Sequence, residues 1–197
     1  MAAKADHALV ADGIRDGIAV HERLLEPPYI GWVVRAAEMV VTSLRGGGKL
    51  VTFGNGGSAA DAQHMAAELL GRYLLERAPL PAVCLTDNVS TMSAIGNDYG
   101  FTDVFARQVN GLGRAEDVAV AFSTSGNSPN VLAGVAAAQA IGMPTIGLTG
   151  AGGGALAGAV DLCIRVPADG TPRIQEAHTL VAHLMCELVE RALAADG

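Results

Sequence analysis

The chain's 197 residues are enough for one domain with a sizeable core and tight for two. Half of them are hydrophobic, only 4% are aromatic and 25 are glycine, so the core must come mainly from Ala, Val, Leu and Ile, which suits helices packed closely on a buried sheet. A formal net charge of -7 argues against broad binding to nucleic acid or to an anionic membrane, so an anionic ligand must be held by local devices and not by the overall field.

The three cysteines, Cys84, Cys163 and Cys186, are far apart and set among apolar residues, the pattern of free thiols in a reducing compartment. No run approaches the roughly 18 apolar residues of a membrane span, and acids occupy the place of a signal peptide's apolar stretch. A cytoplasmic protein is expected.

In chain order, residues 8–25 place Val10, Ile14, Ile18 and Leu25 near helical spacing, and Pro27-Pro28 stops that helix. A second amphipathic helix is predicted over 29–44, ended by Gly46-Gly47-Gly48. From Lys49 the rhythm changes to short apolar runs at 49–54, 81–86, 117–123, 143–149 and 161–166. Runs without polar alternation are strands buried on both faces, and the helices predicted between them, at 58–76, 88–95, 102–110, 128–141 and 172–195, make parallel βαβ units. No linker or repeat interrupts the pattern. The expected architecture is one α/β domain over 1–197, a three-layer fold whose five-stranded parallel sheet is flanked by helices, with an N-terminal helical extension at 1–46.

In such sheets ligands bind outside the carboxyl ends of the strands. The first end reads Gly54-Asn55-Gly56-Gly57-Ser58, with Ser58 placed as an N-cap and Asp61 as its capping-box partner. By itself this fits a plain βα turn as well as a ligand cradle. The third reads Ser123-Thr124-Ser125-Gly126-Asn127-Ser128-Pro129, with Ser128 at an N-cap and Pro129 at the first helical position. Free amides, the positive helix end and several hydroxyls would converge there, which can hold a phosphate monoester without Lys or Arg. There is no GxxxxGK[ST] loop, so nucleotide hydrolysis is unsupported and no nucleotide cofactor is expected.

His64 and Glu68 are four apart on the helix beginning near Ser58 and so share a face. Gln175 and His183, eight apart, are about 80° from alignment, a weaker link. On spacing alone, His64–Glu68 also reads as a surface pair and His183 as a core histidine. His178 is five residues from His183 and points elsewhere, and His7 and His21 have no chemical neighbours.

With GNGGSAADAQHMAAE (54–68), GNDYG (96–100), STSGNS (123–128) and RIQEAHTLVAHLMCELVE (173–190) in view, the chain resembles sugar isomerase (SIS) domain proteins, and among them the phosphoheptose isomerases, over nearly its whole length. The resemblance implies conversion of sedoheptulose 7-phosphate to D-glycero-D-manno-heptose 7-phosphate through an enediol. It implies that Ser123, Thr124, Ser125 and Ser128 hold the phosphate, and that Asn55, Gly56, Gly57, Ser58, Asn97, Asp98 and Gln175 line the sugar. It places His64, Glu68, Gln175 and His183 at the reacting carbons, often around zinc, and implies a homotetramer with active sites at subunit interfaces.

Aldose–ketose isomerisation moves a proton between adjacent carbons and needs proton traffic on two oxygens. Glu68 is assigned as the C1–C2 base and, because an imidazole titrates near neutral pH, His183 as the acid/base on oxygen. How these two divide proton transfer and metal ligation stays open. Two alternatives also stand: a non-catalytic SIS protein that binds a sugar phosphate or a regulatory partner, and an isomerase of another phosphosugar.

Overall fold

The computed structural model describes residues 2–194, with side chains from residue 5. Helices α1 (Ala2–Arg23) and α2 (Tyr29–Arg45) precede β1 (Leu50–Gly54), α3 (Gly57–Leu70) and β2 (Ala82–Cys84). Then come α4 (Val89–Asp98), a 3-10 turn (Phe101–Asp103), α5 (Val104–Leu112), β3 (Val118–Phe122) and α6 (Pro129–Ala140). Strand β4 (Thr145–Thr149), the short α7 (Leu156–Ala159), β5 (Leu162–Arg165) and α8 (Thr171–Ala194) complete the chain.

The five strands form one parallel sheet in the order β2-β1-β3-β4-β5, as the continuous apolar runs led us to expect. Strands β1 and β3 are buried at every position, so both sheet faces are covered. Leu50, Val118, Val120, Phe122, Ile146, Leu148 and Ile164 pack with α2, α3 and α8. Val51, Phe53, Ala119 and Ala121 alternate to the other face, against α5, α6 and α7.

After β1 the chain moves outward to β2, then returns to lay β3 on the opposite side of β1, making the β1/β3 boundary the topological switch point where ligands bind. Gly54 pairs with Phe122 across it, so the glycine turn and the serine loop emerge side by side.

Three local expectations are corrected. Helix α1 begins at Ala2, not residue 8. Helix α3 ends at Leu70, not 76, although Leu74 and Leu75 prolong the apolar pattern. Its N-cap is Gly56, whose φ of 56° starts the helix at Gly57, so Ser58 lies inside the first turn and is buried instead of capping it. The expected helix over 172–195 is α8; residue 195 lies outside the described residues. Among the described residues no helix is long and apolar enough to cross a membrane.

Candidate active site

At the switch point Asn55 and Asn130 exchange two amide hydrogen bonds of 2.8 Å, tying the end of β1 to the first turn of α6. Asn130 also accepts from the Val131 N–H at 3.0 Å. That amide is therefore not free as expected, and with Pro129 lacking an N–H the loop's anion-binding capacity rests more on its hydroxyls. Ser123 and Ser128 bring their Oγ atoms to 3.1 Å, so Ser128 sits at the N-cap but turns its hydroxyl to Ser123. Ser125 Oγ accepts from the Asn127 N–H at 3.1 Å, and Asn127 Oδ1 accepts from the Ala155 N–H at 2.9 Å. Gly126, at φ +66°, has no room for a side chain: a Cβ would stand 2.0 Å from the Gly153 carbonyl oxygen. Thr124 is half-buried in the same loop.

Helices α3 and α8 form a polar seam leading away from this turn. Gly57, Asp61, His64 and Glu68 lie on one stripe of α3, and Gln175, Thr179 and His183 lie along α8. At the top, the Gln175 amide packs on Gly57 so closely that a Cβ there would lie 2.3 Å from its nitrogen. Next, Asp61 accepts a 2.7 Å bond from Thr179 instead of closing a capping box. Burial pushes the Asp61 carboxyl above the ordinary range, against the Thr179 hydrogen bond and the nearby His64, which pull it down.

Below that, His64 Nε2 and His183 Nε2 meet at 2.7 Å, their rings edge-on at 75°, and Glu68 Oε1 is 3.5 Å from His64 Nε2. The Tyr73 ring lies against His183 with centroids 5.6 Å apart. One side chain is open to solvent and the other mostly covered, His64 being 45% and Glu68 20% exposed.

The structure thus brings together three of the four residues expected at the reacting carbons. Gln175 is not among them: eight residues of α8 set it roughly 12 Å along the axis from His183, beside the glycine turn. Asn97 donates to Asp98 at 2.7 Å at the end of α4, and Asp98 lines a separate cavity with Asp87, Thr91 and Arg107, near the carboxyl end of β2. His178 points away from His183, as expected, and is fully buried with its ring 6.1 Å from that of Phe122. Sequence reasoning missed Tyr73, because residues 71–76 read as a continuation of helix.

Two imidazoles and a carboxylate whose ligand atoms all lie within 4.8 Å of one another suit a divalent cation. Nitrogen and oxygen donors of this kind are acceptable to zinc, and three protein ligands leave a coordination position open.

This fold, with a serine loop at its switch point, defines a class: residues 31–150 match the SIS domain family, and the chain belongs to it. Within that family it belongs with the phosphoheptose isomerases. It is 62% identical to the phosphoheptose isomerase of Rhodospirillum rubrum over 161 residues, covering 82% of this chain and 86% of that one. It is 52% identical to that of Roseiflexus sp. over 184 residues, 93% of each chain. The solved phosphoheptose isomerase of Neisseria gonorrhoeae superposes with a TM-score of 0.84 at 43% identity, covering 97% of this chain and 100% of that one.

Proposed function

We propose that the protein is an aldose–ketose isomerase that converts sedoheptulose 7-phosphate to D-glycero-D-manno-heptose 7-phosphate through an enediol. The observation that carries this reading is the meeting of Glu68, His64 and His183 at one point of the α3–α8 seam, within a fold whose switch point carries a hydroxyl-rich loop. The names of the relatives support the same reaction class.

In this reading Ser123, Thr124, Ser125 and Ser128 accommodate the phosphate oxygens at the start of α6, while Asn55, Gly56, Gly57, Ser58 and Gln175 border the sugar. Asn97 and Asp98, expected against the sugar, stand at the end of α4, where Asp98 lines a separate cavity, and are assigned no sugar contact in this seam. Glu68 takes the proton from one of the two reacting carbons and returns it to the other. His183 gives and takes the proton on oxygen, with its ring held by Tyr73 and His64. His64, Glu68 and His183 would hold zinc, which when bound polarises the carbonyl and stabilises enediolate charge. A metal set that also includes Gln175 would draw it from a second copy, since Gln175 of the same chain lies beside Gly57, roughly 12 Å along α8 from His183.

A second copy is part of the proposal. Leu9, Val10, Ile14, Ile18 and Leu25 of the α1 region, with Ile30 on α2, are all more than half exposed. An apolar cavity of about 330 Å³ opens between α1, α2 and α8. Large apolar surfaces of this kind mark subunit contacts, and we assign the helices of residues 1–46 to a homotetramer, with the whole chain as one SIS domain in the cytoplasm. Sizing chromatography should show a mass several times the 20.0 kDa of one chain.

The test is a panel of heptulose, pentulose and hexulose phosphates with NMR identification of the product. Turnover of the heptulose phosphate supports the proposal, turnover of another member changes the substrate, and binding without turnover removes the enzyme.

A further inference from the structure

The α3–α8 seam has a lower tier that the reaction does not use. Glu190 stands seven residues beyond His183 on α8, on the same face and roughly 10 Å further along the axis. Its side chain is 1% exposed, and its carboxylate accepts four hydrogen bonds. The Tyr73 N–H (3.0 Å) and Arg77 Nε (3.1 Å) donate to Oε1, and the Leu74 and Leu75 N–H groups (2.8 Å each) donate to Oε2. Two bonds to each oxygen use up the carboxylate's acceptor sites, so this buried acid is committed and cannot serve as a second base.

Arg77, itself 7% exposed, turns the rest of its guanidinium onto the end of α3. Nη2 donates to the Glu68 carbonyl at 2.8 Å, and Nη1 donates to the Leu69 and Ala78 carbonyls at 2.9 and 3.0 Å. The last carbonyls of a helix lack partners within it, and Glu68 lies in that last turn. The 71–77 segment exposes Leu74, Leu75 and Glu76, and turns Tyr73 inward against His183.

We propose that Glu190 and Arg77 are positioning residues. Together they clamp segment 71–77 so that Tyr73 backs His183, and they close the end of α3 so that Glu68 keeps its place beside the two histidines. Small displacements of a catalytic group carry large rate penalties, so a clamp of this kind acts on turnover more than on substrate affinity. The activity part of this inference rests on the isomerase reading above.

The experiment compares full-length Glu190→Gln, Arg77→Lys and Tyr73→Ala with Val40→Ala, a truncation in the remote core of α2. Val40→Ala should lower the Tm and leave kcat unchanged. Each of the other three should lower kcat tenfold or more with KM within twofold, and amide exchange at 73–75 should accelerate in Glu190→Gln. A kcat within twofold of wild type in Tyr73→Ala and Arg77→Lys overturns the proposal, and these two decide it should Glu190→Gln not fold. Should the wild-type protein isomerise no phosphosugar, the isomerase reading fails and the clamp is still read directly. The ring ¹⁵N resonances of His64 and His183 shift in Tyr73→Ala if the clamp orders the cluster, and stay in place if it does not.

Discussion

His64 and His183 meet Nε2 to Nε2 at 2.7 Å although 119 positions separate them in the chain. Two ring nitrogens at that separation must share a proton, one donating and one accepting, or both face a cation. With Glu68 Oε1 beside His64, the cluster can move protons or hold a metal, and a ring nitrogen that binds the metal does not carry a proton at the same time.

Glu68→Gln keeps the shape of the side chain and removes its basicity. We expect kcat to fall by about 10²–10⁴-fold, the usual worth of a positioned acid or base, while binding of the phosphosugar measured by calorimetry stays within a few-fold of wild type. A variant with normal turnover would place the base elsewhere.

Metal removal should have a separate signature. A chelator-treated sample should lose activity and regain it with zinc, and His64→Ala should abolish zinc retention measured by elemental analysis. Full activity in a sample shown to be metal-free would remove zinc from the reaction.

Gln175 and His183 are roughly 12 Å apart along α8, which makes subunit complementation informative. If Gln175 completes the site of a second copy, Gln175→Ala and His183→Ala, each inactive alone, should regain part of the wild-type rate in mixed oligomers. If it acts only beside its own Gly57, in the same site as its own His183, the mixture should stay at the level of the two parents.

Acid should destabilise the fold in two windows. Burial pushes His178 from its ordinary 6.5 to about 4, with the Thr149 backbone pulling weakly the other way. Between those values the unfolded chain binds a proton that the folded ring refuses, so the stability present at pH 7 declines as pH drops from 6.5 towards 4, by about 3 kcal/mol in all. For Glu190, burial would raise the carboxyl, but the amides of Leu74, Leu75 and Tyr73 and the charge of Arg77 hold it below the ordinary value. Its contribution is present above the unfolded carboxyl pKa and is lost as pH falls further, through its depressed folded value. Urea midpoints at pH 7 and pH 5 should differ, and His178→Leu should shrink that difference. An equal midpoint at both pH values would contradict the burial argument.

Much of the fold was legible because its strands are buried on both faces: runs such as VAVAF leave a solvent-facing edge nowhere, and parallel packing follows. The stripe carrying His64 and Glu68 was legible because local spacing fixes it. What was not legible depends on contacts distant in sequence. Helix α3 stops at Leu70 while its apolar rhythm runs on, because Arg77 and Glu190, 113 positions apart, hold the following segment in another conformation. Gly56 in a left-handed conformation moved the helix start and took the cap from Ser58. Tyr73 against His183 follows from that clamp, and no spacing rule reveals it.

The most direct test is to incubate the wild-type protein and Glu68→Gln with sedoheptulose 7-phosphate in D₂O and follow both by NMR. Wild type should form the aldose with solvent deuterium at C2, because the base exchanges its proton while the enediol waits, and Glu68→Gln should bind the sugar and leave it unlabelled. Binding by the wild-type protein with neither product nor deuterium incorporation, or equal labelling by the variant, would contradict the assignment of Glu68.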